Sequence, residues 1–415
     1  MSIEPAINWQ FHKAPGLVDP RARCTRTSVA RSVGRTGQLR AVPANTGRWQ
    51  FNPITGLCEG LYFEPQRANL LLRSEELDHA AWTATNLTVT PNSTTAPDGT
   101  TTADTLAATA TGSKLSQAVT ITAGRGAAFT VFAKAVASSF LLMEITDGSN
   151  TVQAWFNLAA GTVGTHTAGA ATLLYSTKAI EAFGGGWYRC AVEVTSTTIT
   201  AITASIAPAA ADNTAPANGN SVAAWGAQLE ADATLTNQTT YIPTTSAQVT
   251  RGADNLYIDT DPRWYNPNEG TMVFEWWNRP VTPASGGQSQ VYGGFGSTFN
   301  DTFYISRFTT TQLVLNTRAG GVGYSAITRP YTWPANTILR MAMAWAHNDA
   351  AFCIDGGAVS SHALCPLPAP AARFSIGGAP WSEPSSSSVA QAVCRVFRYY
   401  PRRLSNALLQ TETAT

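Results

Sequence analysis

Charge is scarce in this 415-residue chain, with 13% of residues charged against 44% hydrophobic. Long amphipathic helices need a charged face toward water, so they cannot make up its bulk. The Thr, Ala, Ser and Gly that fill the remainder suit short strands and turns. No apolar run reaches the length of a membrane span, and the opening MSIEPAINWQFHK has no apolar stretch after its charges. The chain is therefore expected to carry no secretory signal, to cross no membrane and to remain in the cytoplasm where it is made. Sequons such as Asn86-Leu-Thr and Asn300-Asp-Thr have no weight without export. The six cysteines (Cys24, Cys58, Cys190, Cys353, Cys365, Cys394) show no CxxC spacing. That disfavours zinc and leaves reduced, buried thiols as the expectation; Cys353 and Cys365 could pair only if neighbouring strands bring them together.

Catalytic constellations are missing too. There is no GxSxG, HExxH or ExDxxE stretch, and the five histidines (His12, His79, His166, His347, His362) are isolated. Asp259 and Asp261 alternate as a glycosidase pair would, but sit among Pro and Asn; Glu144 and Asp147 are three apart, with Asp147 in an Asp-Gly turn. Gly184-Gly-Gly precedes a strand and Gly320-Gly-Val-Gly runs into one, so neither opens a helix to cradle phosphate. The expectation is a chain that is not an enzyme.

The formal net charge of +1 argues against a broad nucleic-acid grip. It hides an asymmetry: residues 1–73 hold ten basic side chains against four acidic ones, 10 − 4 = +6, so the rest sums to −5. Spaced arginines (Arg21, Arg23, Arg26, Arg31, Arg35, Arg40) either pair with a protein partner or cap local carbonyls, with nucleic-acid contact as the alternative.

A chain of this length suggests two or three domains. Residues 1–73 carry turn signals at intervals too short for helices (Pro15-Gly16, Asp19-Pro20, Gly34, Gly37, Pro43, Gly47, Pro53, Gly56) and read as hairpins and loops that rest on a neighbour or another subunit. Residues 74–250 show period-two alternation, as in Ala128-Phe-Thr-Val-Phe-Ala-Lys and Trp187-Tyr-Arg-Cys-Ala-Val-Glu-Val-Thr, and read as an antiparallel sandwich. Residues 251–269, with Asp261-Pro262 and Asn266-Pro267, read as a linker. Residues 270–415 form a second strand-rich block, in which Met272, Phe274 and Trp276 face one way and Val273, Glu275 and Trp277 the other. Leu339, Met341, Met343 and Trp345 make a second heavy face, and Ser405 caps a short helix near the end. The fold class is all-β: an N-terminal hairpin and loop segment followed by two antiparallel β-sandwiches.

Three stretches carry a resemblance to tailed-bacteriophage fibre or spike proteins of the head or tail. Leu17-Val-Asp-Pro-Arg-Ala-Arg-Cys-Thr-Arg-Thr-Ser, Asn52-Pro-Ile-Thr-Gly and Gly60-Leu-Tyr-Phe-Glu-Pro-Gln-Arg-Ala-Asn-Leu-Leu-Leu-Arg-Ser-Glu resemble their shared entry segment. Pro97-Asp-Gly-Thr-Thr-Thr-Ala-Asp, Gly186-Trp-Tyr-Arg-Cys, Trp225-Gly-Ala-Gln-Leu-Glu and Tyr241-Ile-Pro-Thr-Thr resemble a carbohydrate-binding-module-like jelly roll. Ile354-Asp-Gly and Val396-Phe-Arg-Tyr-Tyr-Pro-Arg-Arg-Leu-Ser resemble a concanavalin A-like (laminin-G-like) sandwich. The resemblance implies a virion protein assembled in the host cytoplasm, docked through residues 1–73 and the six arginines above on capsid, portal, neck or tail proteins. It implies a homo-trimer whose sandwiches meet host-surface polysaccharide, with no nucleic acid or membrane partner. A virion-borne polysaccharide-degrading enzyme and a ligand-free decoration protein are the alternatives.

Sugar recognition by such sandwiches needs exposed aromatic faces beside hydrogen-bonding side chains. Trp277 beside Glu275, the loop residue Trp381, and Tyr292 before Gly293-Gly294 are the candidates. Trp155, Trp187, Trp225 and Trp345 read as core. Asp98 and Asp104 could donate oxygens to Ca2+, as in some jelly rolls resembling this one, or serve a plain Asp-Gly turn.

Overall fold

The computed structural model describes residues 4–16, 19–122, 124–196, 198–232, 238–278, 290–309, 311–363, 366–381 and 389–414. The middle of the chain folds as two facing antiparallel sheets. One has seven strands, in the order Gly169–Ala170, Leu173–Ala182, Tyr188–Ser196, Gly126–Ala135, Ser221–Asp232, Ala103–Ala108, Leu87–Thr94. The other has six: Thr162–His166, Thr151–Asn157, Phe140–Thr146, Ala201–Ala209, Lys114–Thr120, Thr83–Thr85. The alternation read from sequence is realised along Gly126–Ala135, where Ala127, Phe129, Val131 and Ala133 enter the shared core. The opposite face of that strand is buried as well: Phe132 packs with Trp225 and Tyr241 beneath Val33 and Leu39 of the N-terminal segment. Each such fully buried large side chain contributes about 1.5–3 kcal/mol.

The second sandwich pairs an eight-stranded with a seven-stranded sheet. Within Glu269–Trp277, Met272, Phe274 and Trp276 are fully buried, opposite Met343, Met341 and Leu339 on the neighbouring strand. Trp345 lies so close over Gly270 that a Cβ there would stand 2.3 Å from its ring, which is why the strand's second residue is glycine. Ser405 caps the helix Asn406–Thr413, its Oγ accepting from the Leu408 amide. The helix side of the chain explains the small residues of the outer face: Ala342, Ala344, Ala351 and Cys353 pack under Leu404 and Leu409. Cys24, Cys58, Cys190, Cys353 and Cys394 are free thiols, and the proposed partner Cys365 lies outside the described residues.

Two boundaries differ from those read in the sequence. Residues 1–73 are no separate arm. Ile7–Gln10 and Cys58–Phe63 share one edge of the strand Ala392–Tyr400, the first pairing with Val396 to Tyr399 and the second with Ala392 to Cys394; Trp49–Phe51 extends that sheet. Ala22–Thr25 joins the other sheet through Asn255–Asp259. Residues 251–269 are likewise no linker, because Asn255–Asp259 is a strand between Ala22–Thr25 and Arg373–Ile376. Trp264 and Tyr265 pack in the core against Phe374 and Tyr399. The turn residues that mark these segments punctuate strands whose partners lie hundreds of residues away.

An ion cluster sits where the pieces meet. Arg48 donates to Glu64 (2.7 Å) and to Asp254; Arg26 donates to Asp254 (2.8 Å); Arg251 donates to Glu64 and to the Pro65 carbonyl (2.6 Å). Glu64 also accepts from the Thr240 amide (2.7 Å) and hydroxyl (2.6 Å). Burial alone pushes the Glu64 carboxyl up, but the guanidiniums of Arg251 and Arg48 and the Thr240 donors outweigh it and bring it down to about 2. The opposite case is Glu193, pushed up to about 7 by burial and by the charge of Glu230, against the hydrogen bond from the Gln238 amide.

These two carboxyls give opposite pH signatures. Glu64 is depressed in the folded state, so its contribution is full above the unfolded carboxylate value and is lost as pH falls from about 4.5 toward 2. Arg48→Ala, which removes the guanidinium shared by Glu64 and Asp254 and leaves each with one close arginine, is expected to cost about 3–5 kcal/mol in urea unfolding at pH 7. Glu193 is raised, so its contribution is full below the unfolded value and is lost as pH rises through about 7. Glu193→Gln is expected to stabilise the protein by roughly 2–3 kcal/mol at pH 8 and by nothing at pH 4, read from paired denaturation curves. Deleting residues 1–73 is expected to leave the second sandwich unprotected in hydrogen exchange; a truncated chain with native protection in Glu269–Trp277 contradicts the shared-sheet architecture.

Candidate functional site

Strand pleat separates the candidate residues. Trp276 is fully buried, so its neighbours Glu275 and Trp277 face outward and are partly exposed, as alternation requires. Tyr292 is a correction: it belongs to the strand Gln290–Thr298 and is fully buried, its ring 5.4 Å from Trp276 and 5.7 Å from Trp333. Gly293 and Gly294, which suggest a loop, instead make room inside the sheet; a Cβ on Gly293 would meet the Phe274 ring at 2.6 Å. Tyr292 therefore reaches no surface ligand.

Trp381 lies in a turn on the other sheet's outer face. Its ring stands 4.9 Å from Tyr304, which points away from the core residues Phe303 and Ile305, and 5.4 Å from Phe299. Phe299 is 46% exposed and the Arg318 guanidinium lies 3.8 Å over its ring. This aromatic shelf and the Glu275 face are on opposite sides of the sandwich, so the sequence-selected residues form two places, not one.

The Glu275 side holds a cavity of about 430 Å³. Register builds it: Glu275 stands opposite Arg340 on one neighbour and Val396 on the other, while Val273 stands opposite Arg398. Arg340 Nε is 3.3 Å from Glu275 Oε2 and Arg395 Nε is 2.7 Å from Glu275 Oε1. Arg398 Nη1 is 2.9 Å from Glu412 Oε2 on the C-terminal helix, which closes one end of the cavity. Asn8, from the N-terminal strand, Glu4 just before it, Tyr400 and Thr411 complete the polar lining. Burial first, and then the hydrogen bond to Glu412, push the Tyr400 hydroxyl well above its ordinary value, so it stays protonated. Trp277 continues the same face one pleat repeat beyond Glu275, roughly 7 Å along the strand. The arrangement offers fixed donors and acceptors with charges already matched within the protein, which suits an uncharged ligand rich in hydroxyls. Arg340, Arg398, Glu412 and Asn8 have no local motif; only the strand register brings them together.

The remaining candidates are engaged elsewhere. Asp104 is buried, its Oδ2 accepting from the Leu77 amide and its Oδ1 from the Asn92 amide, both at 2.8 Å. Asp98 Oδ1 accepts from the amide (3.0 Å) and hydroxyl (2.6 Å) of Thr100. Asp98 thus fixes its own Asp-Gly turn, while Asp104 ties the backbone at Leu77 and Asn92 to its strand; among the described residues no group of three His, Cys, Asp or Glu could hold a metal ion. Of the leader arginines, Arg21 pairs with Asp19 (2.6 Å), Arg23 with Asp259 (3.6 Å), Arg26 with Asp254 and Arg31 with Glu75 (4.0 Å). Arg26 is 2% exposed and cannot meet another protein. Arg35 and Arg40 instead lie 5.5 and 6.0 Å over the ring of Phe51.

No family model and no curated protein matches the sequence. Among solved structures, the chain is similar to the CBM40 of the Ruminococcus gnavus IT-sialidase bound to alpha2,3 sialyllactose, at 13% identity over 36% of this chain and 84% of that one, TM-score 0.30. It is similar to domains LG4-5 of the mouse laminin alpha1 chain at 10% identity, over 83% of this chain and 93% of that one, TM-score 0.23. It is similar to the Trypanosoma rangeli sialidase in complex with the inhibitor DANA at 9% identity, over 68% and 54%, TM-score 0.30. What stands on the molecule's own geometry is an all-β chain of stacked antiparallel sheets whose second sandwich carries a polar groove on one outer face and an aromatic shelf on the other.

Proposed function

We propose that this chain is a non-catalytic attachment protein of a tailed-phage virion that binds an uncharged stretch of host-surface polysaccharide in the Glu275 groove. The observation that carries the glycan reading is the cavity of about 430 Å³ in which Glu275, Arg340, Arg398 and Glu412 are held in register. Sugar hydroxyls donate and accept at once, and matched guanidinium and carboxylate pairs supply both roles without leaving a bare charge to desolvate. The outward indole of Trp277 supplies a face for a pyranose ring. A non-catalytic reading is supported by the ion pairs, since Glu275 and Glu412, two of the three carboxylates that line the groove with Glu4, are anchored to guanidiniums rather than facing each other across a bond. The virion setting rests on the resemblance of the leader, and capsid, neck or tail proteins are the partners it implies. With the leader woven into the second sandwich, the docking surface is a face of the folded body and not a detachable arm.

Isothermal titration of full-length protein with purified host capsular polysaccharide tests the groove. Trp277→Ala is expected to weaken binding about tenfold while Trp381→Ala leaves it unchanged. The reverse pattern moves the site to the Trp381 shelf, and new reducing ends on prolonged incubation overturn the non-catalytic reading.

A further inference from the structure

Most of the leader's spaced arginines are paired within the chain, and the two that are not lie together. Of Arg21, Arg23, Arg26, Arg31, Arg35 and Arg40, the first four pair with carboxylates of this chain. Arg35 and Arg40 have no carboxylate partner among the described residues, yet both are exposed and both lie within 6.0 Å of the same Phe51 ring. Two like charges gathered at one aromatic ring repel each other unless an anion joins them. They border a cleft of about 510 Å³ at the seam between the hairpin of Ala30–Val33 and Leu39–Val42 and the middle sandwich, where the Leu39 amide donates to the Pro97 carbonyl. Asp98 on the far wall is the single carboxylate of the lining, bound to Thr100, so the lining sums to 2 − 1 = +1.

The neighbouring surface is apolar. Ile54 and Leu57, 61% and 70% exposed, stand on the loop between Trp49–Phe51 and Cys58–Phe63. That loop abuts the arginine-bearing turn: a Cβ on Gly37 would lie 2.3 Å from the Pro53 carbonyl oxygen, and one on Gly56 would lie 2.7 Å from that of Arg35. A basic cleft flanked by bare aliphatic side chains matches neither a neutral sugar nor a polyanion alone.

We propose that this cleft docks a protein partner through a segment that alternates carboxylate and aliphatic side chains, the carboxylates meeting Arg35 and Arg40 and the aliphatics covering Ile54 and Leu57. The inference rests on the attachment reading for its setting and is independent of the Glu275 groove. Guanidiniums over an aromatic ring keep in-plane N–H donors for carboxylates; Arg40 spends one, from Nη2, on the Trp49 carbonyl (3.4 Å) and has the rest of its fork available.

The probe is a synthetic peptide of alternating glutamate and leucine, titrated by fluorescence anisotropy into the full-length protein, with oligogalacturonate as the acidic-sugar arm. Binding of the peptide is expected to fall about tenfold or more in Arg35→Glu/Arg40→Glu, to weaken as salt rises from about 50 to about 300 mM, and to be unchanged in Trp277→Ala. Arg35→Lys/Arg40→Lys, which preserves charge but not the fork, is expected to fall between the two. Near-ultraviolet circular dichroism verifies that each variant is folded. Peptide binding indifferent to charge reversal overturns the proposal, as does oligogalacturonate binding through the two arginines without peptide binding. Particle incorporation is scored separately: wild-type protein missing from particles defeats the virion reading, while the peptide titration still judges the cleft.

Discussion

The architecture depends on a cluster of five charged side chains with almost no access to water. Arg26, Arg48 and Glu64 come from the leader, and Arg251 and Asp254 from the stretch that joins the two sandwiches; Thr240 adds donors from the end of the middle one. The separations, 228 residues from Arg26 to Asp254 and 176 from Glu64 to Thr240, make it a long-range lock. Three guanidiniums against two carboxylates leave one positive charge, and backbone carbonyls, among them those of Val42, Pro43 and Pro65, take up further donors, while Arg251 Nε is left without a partner. A cluster of this kind adds little net stability over an apolar core of the same volume. Its effect is on specificity, since any arrangement that misplaces one segment buries an unmatched charge.

Much of the fold was legible because a pleated strand writes its own signature. Met272, Phe274 and Trp276 alternate with Val273, Glu275 and Trp277, and the structure sorts them to opposite faces as written. Ser405 before a short apolar stripe marked the helix, and its hydroxyl does cap it. Where local pattern and long-range pairing conflict, the pattern misleads. Gly293-Gly294 looked like a loop because glycine is permissive, yet here it is consumed by the ring of Phe274. Leu256 and Ile258 are two core residues among prolines and asparagines, too brief a run to be distinguished from a linker, and their strand exists because Ala22–Thr25 and Arg373–Ile376 bracket it.

The candidate groove was legible only at Glu275, with Trp277 beyond it on the same face. Arg340, Arg398 and Glu412 join them through cross-strand register and the helix packed beside the sheet, relations that no spacing along the chain encodes. Ala342 and Ala344, on the other side of the heavy strand face, are small because Leu404 and Leu409 lie on them. One face of the sheet is thus divided between a covered patch and an open groove, and the side-chain sizes follow that division.

The strand Ala392–Tyr400 carries a consequence in time. Its free edge is filled by Ile7–Gln10 and Cys58–Phe63, so that Ile7 faces Tyr399 across 399 − 7 = 392 positions. During synthesis the earliest strands leave the ribosome long before their sheet exists, and the middle sandwich, whose strands pair among themselves, can close while they wait. The second sandwich completes its sheet only once both the early strands and Ala392–Tyr400 are made, and two portions far apart along the chain lock each other in place.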